Sequence, residues 1–140
     1  MKKTKILFVC KYNRFRSVIA EGIFNKLNKN KLLVAKSAGA IKGNPIGENV
    51  KKLANSFQIN VKSKPSGLSS KLMVWQNLTI IVADDVPPAL FNKNKKYEKR
   101  VIIWKIPDVQ DDKIKSMKKI SHLIKIKIEK LLLDLKSEDL

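Results

Sequence analysis

Four short apolar runs punctuate the chain: Lys5 to Val9, Leu32 to Lys36, Leu78 to Ala83 and Val101 to Ile106. Each is continuous rather than alternating and rich in Ile, Leu and Val, the pattern of strands buried on both faces of a parallel sheet. Between them the spacing turns helical. Ile19, Ala20, Ile23, Phe24 and Leu27 share one face, and so do Ile46, Val50, Leu53, Ala54 and Phe57. A last helix is predicted from about Asp112 to about Leu135, with Met117, Ile120, Ile124, Ile128, Leu131 and Leu135 as its apolar stripe. The stretch Ile124 to Ile128 alternates like a strand, but its flanks keep helical spacing. Pro87-Pro88-Ala89-Leu90-Phe91 reads as the opening of a short helix, with proline tolerated in the first turn. Strands alternating with helices specify an α/β fold: a four-stranded parallel sheet with helices on both faces, three layers in all. With no linker, repeat or low-complexity segment, residues 1–140 read as a single domain, long enough to bury a core.

Open parallel sheets bind ligands beyond the carboxyl ends of their strands. Cys10 follows the first predicted strand, Ser37 the second, Asp84 and Asp85 the third, and Asp108 the fourth, so these groups are expected to meet along one edge. The segment Cys10-Lys11-Tyr12-Asn13-Arg14-Phe15-Arg16-Ser17 carries the pattern C-x5-R-S between a strand and a helix. Such a loop can wrap its backbone N–H groups around a tetrahedral anion, and the helix start adds its positive dipole end. The same field favours a thiolate nucleophile at Cys10. Arg16 can grip two oxygens of the anion with its planar fork, a geometry lysine lacks. Arginine is scarce here, at Arg14, Arg16 and Arg100, and two of the three lie in this loop. The plainer reading, Cys10 as a small buried residue closing a core strand, accounts for neither the arginines nor the adjacent Ser17.

The formal net charge of +18 raises the question of nucleic acid. The lysines are scattered along the whole chain, and aromatic residues do not interleave with them as stacking platforms would require. The charge therefore reads as solvated surface with steering of anionic substrates as a by-product, and nucleic acid is not an expected partner. No run approaches the length of a membrane span, and the first apolar run is too short for a secretory signal, so no membrane partner is expected. A single cysteine excludes an internal disulfide and fits the reducing cytoplasm. Without a Cys/His cluster or a nucleotide-binding glycine pattern, no metal and no cofactor are implied.

The stretch Val9 to Phe24, VCKYNRFRSVIAEGIF, resembles the phosphate-binding loop of low-molecular-weight protein tyrosine phosphatases and the related thioredoxin-type arsenate reductases. Ser37-Ala38-Gly39 is similar to the S-A-G after the family's second strand, and Gly43-Asn44-Pro45-Ile46 to its G-x-P-x helix entry. Ser63-Lys64-Pro65 resembles the H-x-S-(R/K) segment without its histidine, and Trp104 to Asp108 the late strand ending in an acidic residue. The resemblance covers most of the chain in order.

It implies a cysteine-dependent phosphatase with Cys10, Arg16 and Asp108 as catalytic residues. Cys10 would attack phosphorus and form a cysteinyl-phosphate. The loop from Lys11 through Tyr12, Asn13, Arg14 and Phe15 to Ser17 would bind the substrate phosphate. Ser17 would hydrogen-bond the Cys10 sulfur, cap the helix, or do both. Asn13 would let the loop curl through a left-handed conformation. Tyr12 stands where phosphatases carry glycine, as pocket rim or solvent-facing residue, and Val18 stands where they carry proline.

Asp108 would protonate the leaving oxygen and then activate water. It is followed by Val109-Gln110 rather than the phosphatases' proline and tyrosine. Asp84 and Asp85 are the fallback acids. Asp111 and Asp112 read as helix caps, and His122, inside the last helix, as a surface or packing residue. The substrate would be a phosphorylated protein or small phosphomonoester, with phosphate or another oxyanion seated in the loop. Two alternatives stand beside it. An arsenate reductase would have to use an external thiol, because Cys10 has no second cysteine to relay a disulfide. A non-catalytic phosphate- or nucleic-acid-binding protein would show salt-sensitive nucleic-acid affinity independent of the loop.

Overall fold

The computed structural model describes residues 3–111 and 113–138. Its centre is a four-stranded parallel sheet in the order β2-β1-β3-β4. The strands are β1 (Thr4–Cys10), β2 (Leu33–Gly39), β3 (Leu78–Val82) and β4 (Arg100–Trp104). β1 is fully interior, pairing from Thr4↔Leu33 to Cys10↔Gly39 on one side and from Ile6↔Leu78 to Val9↔Ile81 on the other. That explains its unbroken apolar run: both faces and both edges are covered.

Alternate residues of the strands feed two cores. Ile6, Phe8, Ile80 and Val82 pack with Ile19, Ile23 and Phe24 of α1 (Arg16–Leu27), Leu53 of α2 (Glu48–Ser56), and Ile124 and Ile128 of α5 (Ile114–Glu138). Leu7, Val9 and Ile81 face the other way. They meet Phe91 and the partly buried Leu72, Met73 and Trp75 of α3 (Ser70–Trp75). Burying a side chain of this size is worth about 1.5–3 kcal/mol. The strand residues on each face therefore hold the helices in place and so fix the loops at the carboxyl edge.

The differences from the sequence reading lie at element ends. β2 runs on to Gly39, so Ser37 lies within it rather than after it, because pairing with β1 continues to Cys10. β4 stops at Trp104, two residues early, and Ile106 is instead buried by a turn in which its N–H donates to the Trp104 carbonyl. The proline segment forms a 3-10 turn, Pro88–Phe91, that runs into α4 (Asn92–Lys96). α5 starts at Ile114, and the predicted capping role of Asp112 lies outside the described residues. Asp111 accepts from the Lys113 N–H at 2.9 Å and from the Ser116 hydroxyl at 3.3 Å. The backbone N–H holds its carboxyl below the usual carboxylate range. His122 is exposed and packs against Phe57, with ring centroids 5.0 Å apart and ring planes tilted by 51°. Among the described residues, no helix is long and apolar enough to cross a membrane.

Candidate active site

The loop from Cys10 to Ser17 is shaped by what takes its carbonyls. The N–H groups of Ala40, Ile41 and Gly43 donate to the carbonyls of Cys10 (2.9 Å), Lys11 (2.9 Å) and Tyr12 (3.2 Å). In a trans peptide the carbonyl and the next N–H point in opposite directions. Turning those three carbonyls outward therefore turns the N–H groups of Lys11, Tyr12 and Asn13 inward. Among the described residues, no backbone N–H from Lys11 to Val18 donates to a backbone carbonyl. The first N–H groups of α1 add to the set. Phe15 holds its cap position with no side-chain bond, leaving that end open to an anion.

Asn13 has φ 55°, the left-handed conformation that asparagine tolerates best among residues with a side chain. Gly39 permits the loop to lie against β2. A Cβ there would stand 2.6 Å from the Tyr12 carbonyl carbon and 2.8 Å from the Asn13 nitrogen. Gly39→Ala is therefore expected to displace the loop or cost about 1–3 kcal/mol through overpacking. A lower urea midpoint together with weaker protection of Cys10 by inorganic phosphate is the predicted result.

Cys10 is buried at the floor of this hollow, with its Sγ 2.9 Å from Ser17 Oγ. Beneath the loop lies a fully partnered polar network. Asn13 Nδ2 donates to Ser17 Oγ (2.8 Å) and to Ser37 Oγ (3.0 Å). Asn13 Oδ1 accepts from the Ser66 N–H (2.8 Å) and from Lys62 Nζ (2.8 Å). Ser37 donates to Glu21 at 2.6 Å. Lys62 is half-buried, and desolvation lowers its pKa against the opposing pull of Glu21 and Cys10. Ser17 is thus used by Asn13 and Cys10 rather than as a cap. Sequence reasoning missed Lys62 and Glu21, because no motif marks either of them.

Arg16 is 2% exposed. Its Nη1 donates to the Ile106 carbonyl (2.9 Å), and its Nη2 donates to Asp85 Oδ1 and Oδ2 (2.8 and 3.1 Å). Asp84 and Asp108 lie 3.6 Å from Nη1 and Nη2 respectively. The expected convergence of strand ends is present, and Arg16 is its centre. Asp85, read from sequence as a fallback acid, is the hydrogen-bonded anchor of the guanidinium. Nε bonds to no protein acceptor among the described residues, so one edge of the fork is left for an oxyanion. An arginine held by two of its three nitrogens loses little further entropy when it binds.

A cleft of about 410 Å³ opens over Cys10. Tyr12, Arg14, Phe15 and Arg16 of the loop line it, with Val50 of α2, Asp108, Val109 and Met117. Arg14 is pinned there by bonds from Nε (3.1 Å) and Nη2 (3.0 Å) to the Pro45 carbonyl. Asp108 lies on the cleft wall with a 43% exposed side chain, while Asp84 and Asp85 do not line it. Lys11, Asn13 and Ser17 do not line it either: Asn13 and Ser17 lie beneath the loop, and Lys11 sits over the Tyr12 ring. Among the described residues, no group of three or more His, Cys, Asp or Glu side chains is arranged to hold a metal ion.

Such a hollow, thiol and guanidinium suit capture and covalent transfer of a tetrahedral oxyanion. Comparison with known proteins points the same way. No curated protein sequence matches the chain. The fold is shared with the YwlE arginine phosphatase of Geobacillus stearothermophilus (TM-score 0.81, 21% identity, covering 96% of this chain and 94% of that one). It is shared equally with a low molecular weight protein tyrosine phosphatase from T. tengcongensis (0.81, 23%, covering 94% and 99%). An arsenate reductase from Archaeoglobus fulgidus is 27% identical over 91% of this chain and 98% of its own, at a TM-score of 0.72. The family model described as low molecular weight phosphotyrosine protein phosphatase matches residues 5–139. Nearly the whole chain is covered, and the chain belongs to that family.

Proposed function

We propose that this protein is a cysteine-dependent phosphatase that hydrolyses phosphomonoesters of the phosphotyrosine type through a cysteinyl-phosphate. The observation that carries the reading is the stacking of functions above one atom. Cys10 Sγ lies at the floor of an N–H-lined hollow, and Arg16 and Asp108 line the cleft above it. In the first step the Cys10 thiolate attacks phosphorus while the ester P–O bond breaks. The leaving oxygen takes the proton of the Asp108 carboxyl group. In the second step the Asp108 carboxylate removes a proton from water as that water attacks phosphorus. The S–P bond breaks, and Cys10 leaves as a thiolate stabilised by Ser17. The loop N–H groups and the free edge of Arg16 hold the equatorial oxygens throughout.

Asp108 is preferred as the acid because it lines the cleft, whereas Asp85 is committed to Arg16. Tyr12, Phe15, Val50, Val109 and Met117 give the cleft apolar walls that suit an aromatic leaving group. The 140 residues act in this reading as one phosphatase-like domain, in the cytoplasm, where a lone thiolate stays reduced. Its partners are a phosphorylated protein or small phosphomonoester.

A second reading, arsenate reduction with an external thiol, is favoured by the likeness to the Archaeoglobus enzyme and limited by the single cysteine. Hydrolysis of p-nitrophenyl phosphate tests the first reading, with inorganic phosphate and arsenate both competing for the loop. Absence of hydrolysis, combined with arsenate-dependent oxidation of added glutathione, would replace it with the second. Arg16→Lys is expected to lower kcat/KM by about 10²–10³, the scale of a lost oxyanion donor, although its charge is kept. Near-normal rates in that variant would refute the bidentate role.

A further inference from the structure

The network under the loop has a direction, and Lys62 sets it together with the Ser66 N–H. An ammonium carries three hydrogens and no lone pair. All three of its hydrogens are matched by close acceptors: Asn13 Oδ1 at 2.8 Å, the Ser37 carbonyl at 2.9 Å and Ser66 Oγ at 3.0 Å. Ser37 Oγ lies further off, at 3.4 Å. Lys62 and the Ser66 N–H, each 2.8 Å from Asn13 Oδ1, can only donate, so together they make the Asn13 amide turn its oxygen to them and its NH2 to Ser17 and Ser37. Ser17 Oγ then already accepts from Asn13, so its own hydrogen is free to point at Cys10 Sγ, 2.9 Å away. A hydrogen bond donated to the sulfur is stronger when that sulfur carries the negative charge, so a donor at this place favours the thiolate over the thiol.

We infer that Lys62 is a positioning residue for the nucleophile: with the Ser66 N–H its ammonium holds the Asn13 amide so that Ser17 can donate to the Cys10 sulfur, and its positive charge under the loop favours the attacking anion. The charged groups around this chain are Glu21, reached through the Ser37 hydroxyl, and Cys10 itself. Glu21 ties Ser37 from the opposite side, so the Ser37 hydroxyl accepts from Asn13 and donates to the carboxylate. Lys62 thus supports the loop without touching the cleft, whose lining does not include it. The inference deepens the phosphatase reading and rests on it for its meaning, although its test does not require turnover.

The test uses the full chain with Lys62→Met, Lys62→Gln and Lys62→Arg. The rate of Cys10 alkylation by iodoacetamide at mildly acidic pH reports thiolate directly. Thermal unfolding verifies that each variant is folded. Lys62→Met and Lys62→Gln are expected to slow alkylation about tenfold or more, the scale of one lost charge-assisted hydrogen bond, and Lys62→Arg to recover part of that loss. If Lys62→Met does not fold, Lys62→Gln, which keeps a polar donor without the charge, decides the matter. A folded Lys62→Gln that alkylates at the wild-type rate, or a Lys62→Arg no faster than Lys62→Gln, would overturn the inference. Failure of the phosphatase reading would look different: the wild-type protein would be alkylated readily yet hydrolyse no aryl phosphate.

Discussion

Cys10→Ser is expected to abolish hydrolysis of aryl phosphates, a loss on the order of 10⁴-fold or more, the scale seen when a covalent nucleophile is removed. A serine hydroxyl at this place has no general base beside it. Its nearest polar neighbour is Ser17, which is itself held by Asn13. The loop carbonyls would still be taken by Ala40, Ile41 and Gly43, so the N–H cradle should survive and inorganic phosphate should bind with little change. Equilibrium binding of phosphate or vanadate, measured beside turnover, separates the two effects. Loss of both together would mean that Cys10 shapes the loop rather than reacting in it.

Asp108→Asn should slow hydrolysis of esters with poor leaving groups by about 10²–10⁴, the usual contribution of general acid catalysis. Esters of strongly acidic phenols should suffer much less, because their oxygen needs little protonation as the P–O bond breaks. Asp108 lies 3.6 Å from Arg16 Nη2, but the hydrogen bonds of that nitrogen go to Asp85. Removing the Asp108 charge should therefore leave the guanidinium in place and phosphate binding nearly unchanged. Asp84→Asn and Asp85→Asn form the controls. Asp85→Asn should weaken anion binding by loosening Arg16, with no dependence on the leaving group. If the leaving-group dependence appeared in Asp84→Asn or Asp85→Asn and not in Asp108→Asn, the acid would belong to the turn after β3.

The different behaviour expected of these three aspartates marks the boundary of what the sequence could say. All three were legible as carboxyl-edge residues, because each follows an apolar run of a parallel sheet. Which one faces the cleft and which one anchors Arg16 depends on how the turns after β3 and β4 fold over each other. A one-dimensional pattern carries no record of that. The loop was legible for the opposite reason. Its chemistry is local: a strand end, a cysteine, an arginine at a helix start and a serine beside it lie within eight consecutive residues. Asn13 could be assigned its left-handed turn because few other residues accept one.

Lys62 was invisible among so many lysines. Only the three-dimensional convergence of Asn13, Ser37 and Ser66 distinguishes its ammonium from the solvated ones. α3 was missed because its six residues bury none of their side chains fully and so leave no clear helical stripe. The long stripe of α5 was read correctly through its alternating middle, since Ile124 and Ile128 are both buried against the sheet core. Ile126, which produces the strand-like alternation, is exposed.

The central claim is that phosphate leaves the substrate on the sulfur of Cys10. Rapid acid quench of the enzyme during turnover of p-nitrophenyl phosphate, followed by mass analysis of the intact protein and its peptides, tests it directly. The expected result is a phosphoryl group on the peptide containing Cys10, absent from Cys10→Ser. Turnover without any phosphorylated Cys10 peptide, or with the phosphoryl group on another residue, would contradict it.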